Sequence, residues 1–504
     1  MLVREHYLET KNLLADIEPK EIGRWLLNNG YFPEEYVLPP CFKAEKFKLK
    51  RNPFFEDFKS INSSQLINVS YPKTSLTHRV FGIQHPKHYH DMVYWLIKDW
   101  DLVVEHLFNA DTRIYTYSLP IPVTKTDAID LSPIRSGRMI YEWIEMAERD
   151  LIADAVRYNY LVRTDITNFY ASIYTHSIAW ALHGKHDARK DNESELLGNK
   201  LDKLLQYSND RKTNGISIGS ALSDLIAEII LSKVDKNVSL NLPDVDFVGV
   251  RFKDDYRILC NNESDAKKIL KAIADELLQY NLNVNESKTK VTKLPNGLYR
   301  EHSKNYYPYS LAGRDSFSFR DFEQAALKAI DIHNAYPGTS ILNKFLSELT
   351  KKEKLLVTFS KSKARKFKEI KKLISLLFMI KRESEKVMSA VLSIVDIIFL
   401  EYRKTFPELK VFIKDIIVGD IKRSSENDSV FDVLWLVFFA KFRSLGIGDT
   451  GKLIDSDFIK RNDFYKCAVQ GKKIFKDEDY PLFTSPKNLK ESLLITYVDL
   501  FRRD

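Results

Sequence analysis

Cysteine is scarce in this sequence, and its few thiols are too scattered to build a metal centre. Cys41, Cys260 and Cys467 lie far apart, and no CxxC pair or Cys/His cluster occurs. This spacing argues against a structural zinc site. Unpaired thiols are typical of a reducing compartment, so we expect a cytoplasmic protein.

Targeting segments and long apolar runs are also missing. The N-terminus lacks a basic start followed by an apolar core, so no signal peptide is predicted. The most apolar stretches, 387–400 and 430–442, contain Asp396 and Asp432 and fall short of the ~18 residues that cross a bilayer. We expect buried helices of a soluble protein that has no membrane partner.

Positive charge is concentrated in one segment. The net charge is +8, and residues 351–372 carry ten Lys/Arg against two Glu, so the rest of the chain is about neutral. A smaller basic run covers 43–51. Such stripes suit a polyanionic partner. They are more often only the solvated face of a helix, and both interpretations stay open.

The pattern of elements changes along the 504 residues, a length that suggests two to four domains at roughly 150 residues each. Short strand-like and helix-like segments alternate between about 155 and 300. Beyond about 315 the strand signal fades and apolar-periodic helices continue to the end. The sequence predicts an α+β region followed by stacked helical hairpins, with a boundary near 310–340.

Several elements of the middle region can be predicted individually. Residues 161–166 form a strand candidate, and an amphipathic helix follows Gly219. The runs 247–252 and 256–260 predict a β-hairpin with Asp254 and Asp255 at its turn. A helix with Ser264 as its N-cap is expected behind this hairpin.

Two adjacent aspartates at a hairpin turn repel each other, and nearby packing adds a desolvation cost. Proteins tolerate such pairs where a divalent cation compensates the charge, and oxygen-only ligands favour Mg²⁺ or Mn²⁺. If Asp165 on the neighbouring strand faces the same turn, three carboxylates could hold two ions ~4 Å apart. Taken alone, an Asp-Asp pair at a turn is more often simply solvated.

Four ordered blocks resemble the reverse transcriptases: RTDITNFYASIYTH (163–176), NGISIGSALSDLIAEI (214–229), RFKDDY (251–256) and LNVNESKTKV (282–291). The resemblance implies a fingers and palm domain over 1–310, with its palm motifs in 163–291. It also implies a nucleotidyltransferase that polymerises dNTPs with Mg²⁺ or Mn²⁺, two ions per active site.

The resemblance assigns roles to individual residues. Asp165 and Asp254 would ligate both metal ions, with the carbonyl of Ile166 as a further ligand. Asp255 would be a secondary ligand or would position the primer end. The expected nucleotide-binding residues are Tyr170, which would crowd the sugar 2′ position, Gly215, Gly219, Lys288, and Arg135 and Arg138, or Arg79. Tyr170 could instead be a core aromatic residue, and Lys288 a solvated lysine.

Where the sequence departs from the common reverse-transcriptase pattern, it resembles the bacterial abortive-infection (Abi) polymerases of phage defence. Among these, it resembles most the member carried by P2-like prophages. Ser217-Ile218 replaces the usual Pro-Gln, and GIQHPKHYHDM (82–92) also matches. That family implies an all-α, HEAT-like domain over 311–504, homo-oligomers, and untemplated DNA synthesis primed by a tyrosine that stays attached to the single-stranded product. Nothing local marks the primer among the 25 tyrosines.

Two alternatives remain open from the sequence. One is a templated reverse transcriptase that copies a non-coding RNA, which would differ in making product whose composition follows an added template. The other is a non-catalytic RNA-binding scaffold, whose sign would be loss of the carboxylates. Asp165, Asp254 and Asp255 are all present, which favours an enzyme.

Overall fold

Thirteen strands are seen in the computed structural model, which describes residues 1–73, 77–125, 129–131, 141–191, 193–476 and 480–499. They are β1 (Ile67–Pro72), β2 (His78–Ile83), β3 (Ile114–Thr116), β4 (Val123–Lys125), β5 (Ile129–Leu131), β6 (Tyr160–Asp165), β7 (Phe247–Phe252), β8 (Asp255–Cys260), β9 (Lys290–Lys293), β10 (Phe317–Ser318), β11 (Thr350–Lys351), β12 (Lys354–Leu355) and β13 (Val357–Thr358).

Helices surround these strands in both halves of the chain. The N-terminal ones are α1 (Leu2–Ala15), α2 (Pro19–Asn28), α3 (Pro86–Lys98), α4 (Trp100–Leu107), α5 (Leu151–Asp154), α6 (Phe169–Ser172), α7 (Ser177–His183), α8 (Lys185–Lys190), α9 (Leu197–Ser208), α10 (Ala221–Leu240) and α11 (Glu263–Gln279). The later ones are α12 (Glu301–Tyr306), α13 (Phe319–Ala335), α14 (Ile341–Ser347), α15 (Lys363–Glu383), α16 (Met388–Tyr402), α17 (Glu408–Glu426), α18 (Val430–Phe442), α19 (Thr450–Leu453), α20 (Asp457–Arg461), α21 (Asp463–Gln470) and α22 (Thr496–Asp499).

A five-stranded sheet with the order β3-β7-β8-β6-β9 carries the predicted hairpin at its centre. β3 runs parallel to β7, and the other neighbours are antiparallel. Side chains alternate between the two faces of a strand. On one face Tyr256 reaches Asp235 of α10, so α10 covers that side of the sheet. The opposite face carries Asp165 and Asp255.

The predicted local elements agree with the structure except at the hairpin turn and at one helix start. Asp255 was predicted at the turn but is the first residue of β8, where it pairs with Asp165 and Phe252. The first strand, the hairpin and the helix after Gly219 occupy the expected positions as β6, β7–β8 and α10. The N-cap of α11, however, is Asn262 and not Ser264, because the Asn262 side chain accepts a hydrogen bond from the backbone N–H of Asp265. The predicted apolar face of α11 is buried at Ala266 and Ile269.

The two most apolar stretches form the buried helices α16 and α18, as predicted. Their carboxylates are paired: Asp396 accepts from Arg443, and Asp432 accepts from Lys381. Ion pairing is the usual condition for burying a charged group. None of the helices in the described parts of the chain is long and apolar enough to cross a membrane.

The C-terminal part differs from the all-α prediction in one region. Successive helices pack as neighbours, including α13 with α14 and α17 with α18. Four very short strands interrupt them: β10 pairs in parallel with β13, and β11 pairs with β12. Each strand has only two residues, too few to show the alternation by which sequence reveals a strand.

Both ends of the chain contact each other through aromatic rings. The ring centroid of Phe42 lies 5.2 Å from that of Phe464 and 5.3 Å from that of Phe483. The ring of Tyr71 in β1 lies 5.2 Å from that of Phe431 in α18. The β1–β2 hairpin therefore packs against the C-terminal helices.

Candidate active site

Three elements bring the predicted carboxylates to one end of the central sheet. Asp165 is the last residue of β6, and its register partner on β8 is Asp255. Asp254 lies in the two-residue turn between β7 and β8, and its carbonyl accepts a hydrogen bond from the backbone N–H of Ile166 at 3.2 Å. Residues almost ninety positions apart in the chain are therefore neighbours in the fold.

The electrostatics of Asp254 reflect this crowding. Burial raises the pKa of its carboxyl, and the negative charge of Asp165 raises it further. Both causes disfavour the ionised form. A divalent cation placed between the two carboxylates would offset the cost of burial and the repulsion from Asp165, and would thus favour the ionised form of Asp254.

The donors at this end of the sheet suit a hard cation, because they are carboxylate and carbonyl oxygens. Within the described residues, however, no three His, Cys, Asp or Glu side chains are grouped closely enough to form a ready metal-binding cluster. The structure thus brings Asp165 and Asp254 together without a preassembled three-carboxylate cage. Their role as metal ligands, and that of the Ile166 carbonyl, stays a prediction.

Cationic side chains hold two of the carboxylates. Lys288 Nζ lies 2.8 Å from Asp165 Oδ2, and its side chain is 61% exposed. Arg257 Nη2 lies 3.4 Å from Asp255 Oδ2. Lys288 is thus beside the predicted metal site, where its role towards the leaving pyrophosphate stays a prediction.

A buried ion network fixes the hairpin against α10. Arg251 of β7 donates from Nε to Asp235 Oδ2 at 2.8 Å and from Nη1 to Glu228 Oε1 at 2.9 Å. Arg251 also donates to the Lys253 carbonyl in the turn at 3.1 Å. Ser118 donates to Glu228 Oε1 at 2.6 Å. Because these bonds reach the turn itself, they set the position of Asp254.

Tyr170 is anchored by a carboxylate that the sequence did not single out. The ring belongs to α6 and is half-buried, and its hydroxyl donates to Asp224 Oδ1 at the start of α10. Lys253 Nζ, from the hairpin turn, lies 3.2 Å from Asp224 Oδ2 and 3.5 Å from Glu34. Asp224 therefore connects the predicted sugar-contacting residue to the turn that carries Asp254.

The glycines of the second block are enclosed by protein. A Cβ at Gly219 would lie 2.7 Å from Phe81 and 3.0 Å from Pro33, and its φ of +127° is one that other residues rarely adopt. A Cβ at Gly215 would lie 3.1 Å from the Ala171 carbonyl oxygen. Close packing thus explains why both positions are glycine. Contact of either glycine with a nucleotide stays a prediction.

Of the three arginines predicted to clamp the triphosphate, the structure describes only Arg79. Arg135 and Arg138 lie outside the described residues. Arg79 lies on β2 with an exposed side chain, opposite Tyr71 in the hairpin register. The assignment of a clamp therefore stays a prediction for all three arginines.

Sequence reasoning missed Asp224, Arg251 and Lys253, although all three lie within the four blocks. A weak signal was available, since a buried helix such as α10 that carries Asp224, Glu228 and Asp235 needs partners for its charges. The partners come from distant segments, which the pattern of α10 cannot identify.

Comparison with known proteins gives one family match. The family described as "Reverse transcriptase (RNA-dependent DNA polymerase)" matches residues 107–322, which include all four blocks. No curated protein matches the chain.

Solved telomerases show a weak likeness. Apo telomerase of Candida tropicalis truncated from its C-terminal domain is 14% identical, with a TM-score of 0.29 over 49% of this chain and 52% of that one, about half its length. Apo telomerase of the same yeast is 12% identical, with a TM-score of 0.32 over 77% of this chain and 70% of that one. Candida albicans telomerase with a fragment of telomeric RNA is 14% identical, with a TM-score of 0.30 over 75% and 65%. Likeness at this level supports no argument about function.

Proposed function

Residues 107–322 of this chain are a reverse-transcriptase domain, and from this premise we propose that the protein is a DNA polymerase of phage defence. In this proposal it adds deoxynucleotides without a template. A tyrosine hydroxyl of the protein is the primer, and the DNA strand stays covalently attached. The protein is thus a nucleotidyltransferase of the reverse-transcriptase kind, with dNTPs as substrates.

The arrangement of Asp165, Asp254 and Asp255 is the observation that carries the proposal. Two carboxylates meet at the end of adjacent strands, and the pKa of Asp254 is raised by burial and by its neighbour. When bound there, Mg²⁺ or Mn²⁺ would promote ionisation of the attacking hydroxyl and neutralise charge on the pyrophosphate that leaves. Lys288, beside Asp165, is positioned to add positive charge at the same place.

Untemplated synthesis is supported by the surroundings of the second block. Ser217 and Ile218 replace the Pro-Gln of most relatives, and the Ile218 carbonyl accepts from the Gly82 backbone N–H of β2 at 3.1 Å. The space over Gly219 is filled by Phe81 and Pro33. Protein therefore packs against the loop that would otherwise lie beside a template base.

Further features of the proposal follow from the resemblance to the Abi polymerases. They are a HEAT-like arrangement of the C-terminal helices, assembly into a homo-oligomer and a cytoplasmic location. The domain division at 1–310 and 311–504 belongs to the same proposal. The paired helices after residue 319 are compatible with a helical repeat.

Incubation of the purified protein with labelled dNTPs and Mg²⁺ or Mn²⁺, without nucleic acid, tests the proposal. A slower-migrating labelled species should form that both nuclease and protease degrade. Asp254→Asn should abolish it, because the charge that would bind the cation is lost. Asp246→Asn is a matched control, since Asp246 is exposed, lies just before β7 and accepts a hydrogen bond from Asn261.

The outcome also separates the alternatives. Labelling that requires an added template, with product composition that follows it, would replace the proposal with the templated reverse transcriptase. No labelling under any condition, together with RNA binding that Asp254→Asn leaves unchanged, would favour the non-catalytic scaffold.

A further inference from the structure

A small cavity lies among the C-terminal helices, between the start of α14 and the break that separates α15 from α16. Its volume is about 80 Å³, which is room for several water molecules. Thr339, Ser340 and Asn343 line it from the side of α14, and Ser384 and Lys386 line it from the break. The cavity therefore lies outside the four blocks and outside the carboxylate site.

Polar side chains in this cavity lack partners. Ser340, Asn343 and Ser384 make no side-chain hydrogen bond to any residue that the structure describes. Oδ1 of Asn343 is buried and still has no partner. Ser340 is the N-cap of α14, yet its side chain makes no cap bond. Buried polar atoms are seldom left unpaired, so these groups point to a bound ligand.

Lys386 adds positive charge to the cavity. Its side chain is half-buried, and in the described part of the chain it forms no ion pair with an acid. Burial lowers the pKa of Lys386, and the positive charges of Arg79 and Lys73 lower it further. The 3₁₀ turn Glu385–Val387 packs against β1, which brings the end of the β1–β2 hairpin towards Lys386. Two distant segments thus place cations close together.

The donors that line the cavity suit an anion. Of the described residues around it, none carries a carboxylate, so a metal ion would find no charged ligand. Lysine binds phosphate as a point charge, and hydroxyl groups and an amide can donate to its oxygens. An anion beside Lys386 would also reduce the repulsion from Arg79 and Lys73. A phosphate group therefore matches both the charge and the hydrogen-bonding groups.

The size of the cavity indicates the kind of phosphate. A recess of about 80 Å³ admits one phosphate group but not the sugar or base attached to it. The phosphodiester of a nucleic-acid strand continues on both sides, so it would need a groove that is open at both ends. A terminal phosphate needs only one opening. Arg79 and Lys73 add positive charge for further phosphates of the same ligand.

We propose that the cavity between α14 and the α15–α16 break binds a terminal phosphate group of a small ligand, with Lys386 as its counter-ion. The ligand is a free nucleotide or inorganic pyrophosphate, which share this chemistry. The site lies outside residues 107–322 and goes beyond the proposed polymerase function. A bound phosphate would strengthen the packing of the C-terminal helices against the hairpin whose Phe81 covers Gly219.

Isothermal titration of the full chain with pyrophosphate and with dATP tests the site. EDTA is present, so that no divalent ion holds either ligand at Asp165 and Asp254. The wild type should show saturable binding, and Lys386→Gln should weaken it about tenfold or more, because a charge-assisted bond is lost. Lys386→Arg keeps the charge and should bind more tightly than Lys386→Gln. Equal affinities for the two probes would identify pyrophosphate as sufficient, and tighter binding of dATP would identify a nucleotide.

Cavity-filling variants separate this site from a general attraction to positive charge. Ser384→Leu and Ser340→Leu leave every cation in place and should abolish binding, and Ser340 is exposed with no cap bond to lose. Lys404→Gln removes an exposed lysine just after α16 and should leave binding unchanged. Pyrophosphate should raise the Tm of the wild type but not that of Ser340→Leu. These measurements need no turnover, so they remain decisive even if the protein incorporates no nucleotide.

Two results would overturn the inference. One is a wild type that binds neither pyrophosphate nor dATP in the presence of EDTA. The other is a folded Ser340→Leu or Ser384→Leu protein that binds as tightly as the wild type, whatever the effect of Lys386→Gln. The phosphate would then lie outside the cavity, for example at the predicted clamp that includes Arg79.

Discussion

At the scale of single residues, Asp224 joins two parts of the candidate site that are distant in the sequence. One carboxylate accepts the Tyr170 hydroxyl and pairs with Lys253 of the hairpin turn. A half-buried hydroxyl needs a hydrogen-bond partner, and Asp224 supplies it. The bond supports the position of the Tyr170 ring, and the ring itself is the part that would exclude a 2′-hydroxyl in the proposed function.

Replacement of Tyr170 tests that role. Tyr170→Ala should raise incorporation of ribonucleotides relative to deoxynucleotides by about tenfold or more, because the space at the sugar 2′ position opens. Tyr170→Phe keeps the ring and should keep the preference, even though the bond to Asp224 is lost. Competition between labelled dATP and ATP measures the ratio. An unchanged ratio in Tyr170→Ala would assign the ring to packing alone.

His106 provides a prediction for pH dependence. Burial lowers the pKa of its ring to about 4, and its Nε2–H donates to the Ile229 carbonyl at 2.7 Å. A pKa that is lower in the folded than in the unfolded protein means that the unfolded state binds more protons between pH 6.5 and 4. The contribution to stability is complete above pH 6.5 and is lost as the pH falls towards 4.

His106→Gln should remove that pH dependence. Between pH 7.5 and 4.5 the wild type should lose about 2 kcal/mol more unfolding free energy than the variant, as the ring is only partly buried. Urea unfolding at both pH values measures the difference. Parallel losses in the two proteins would show that His106 does not titrate with folding.

At the scale of elements, the hairpin β7–β8 depends on α10 for its position. Arg251 is fully buried, and its guanidinium is neutralised by Glu228 and Asp235. Breaking one partner of a buried ion pair costs about 3–5 kcal/mol, because the remaining charge stays buried without compensation. The network therefore both stabilises the fold and fixes the position of the hairpin turn that carries Asp254.

Glu228→Gln should lower the free energy of unfolding by about 3 kcal/mol, since the amide keeps some hydrogen bonds but not the charge. Urea denaturation provides the measurement. Glu105→Gln, at an exposed position of α4, is the control and should change stability by no more than about 0.5 kcal/mol. A Glu228→Gln protein as stable as this control would show that the network contributes little.

Elements were predictable where their signals are local. Strand β6, the hairpin and α10 follow from apolar periodicity and from turn residues within a few positions of each other. The start of α11 was missed by two residues, because Asn262 and Ser264 are both good N-caps and only the bond to Asp265 decides between them. The two-residue strands after residue 316 have no detectable period.

At the scale of the whole molecule, the surroundings of the site could not be predicted. Phe81 and Pro33 cover Gly219 from more than a hundred residues away in the chain. Such contacts depend on how the elements pack, which no periodicity encodes. The convergence of Asp165 with Asp254 and Asp255 was predictable because these residues lie in recognisable blocks, and Lys288 beside Asp165 was also named from its block. The pairing of Asp255 with Arg257 was not predicted.

The two ends of the chain also shape the protein around this site. Phe42 packs against Phe464 and Phe483, and Tyr71 of the β1–β2 hairpin packs against Phe431. The same hairpin carries Phe81, which covers the loop of the second block. The C-terminal helices thereby support the β1–β2 hairpin, whose Phe81 occupies the space where, in the proposed function, a template would otherwise lie.

The proposed function depends on binding of a divalent cation at Asp165 and Asp254, and Mn²⁺ titration followed by EPR measures this binding most directly. With a non-hydrolysable deoxynucleotide analogue present, the wild type should bind two Mn²⁺ ions, and Asp254→Asn should lose at least one of them while staying folded. Equal Mn²⁺ binding by the two proteins would contradict a metal site at these carboxylates.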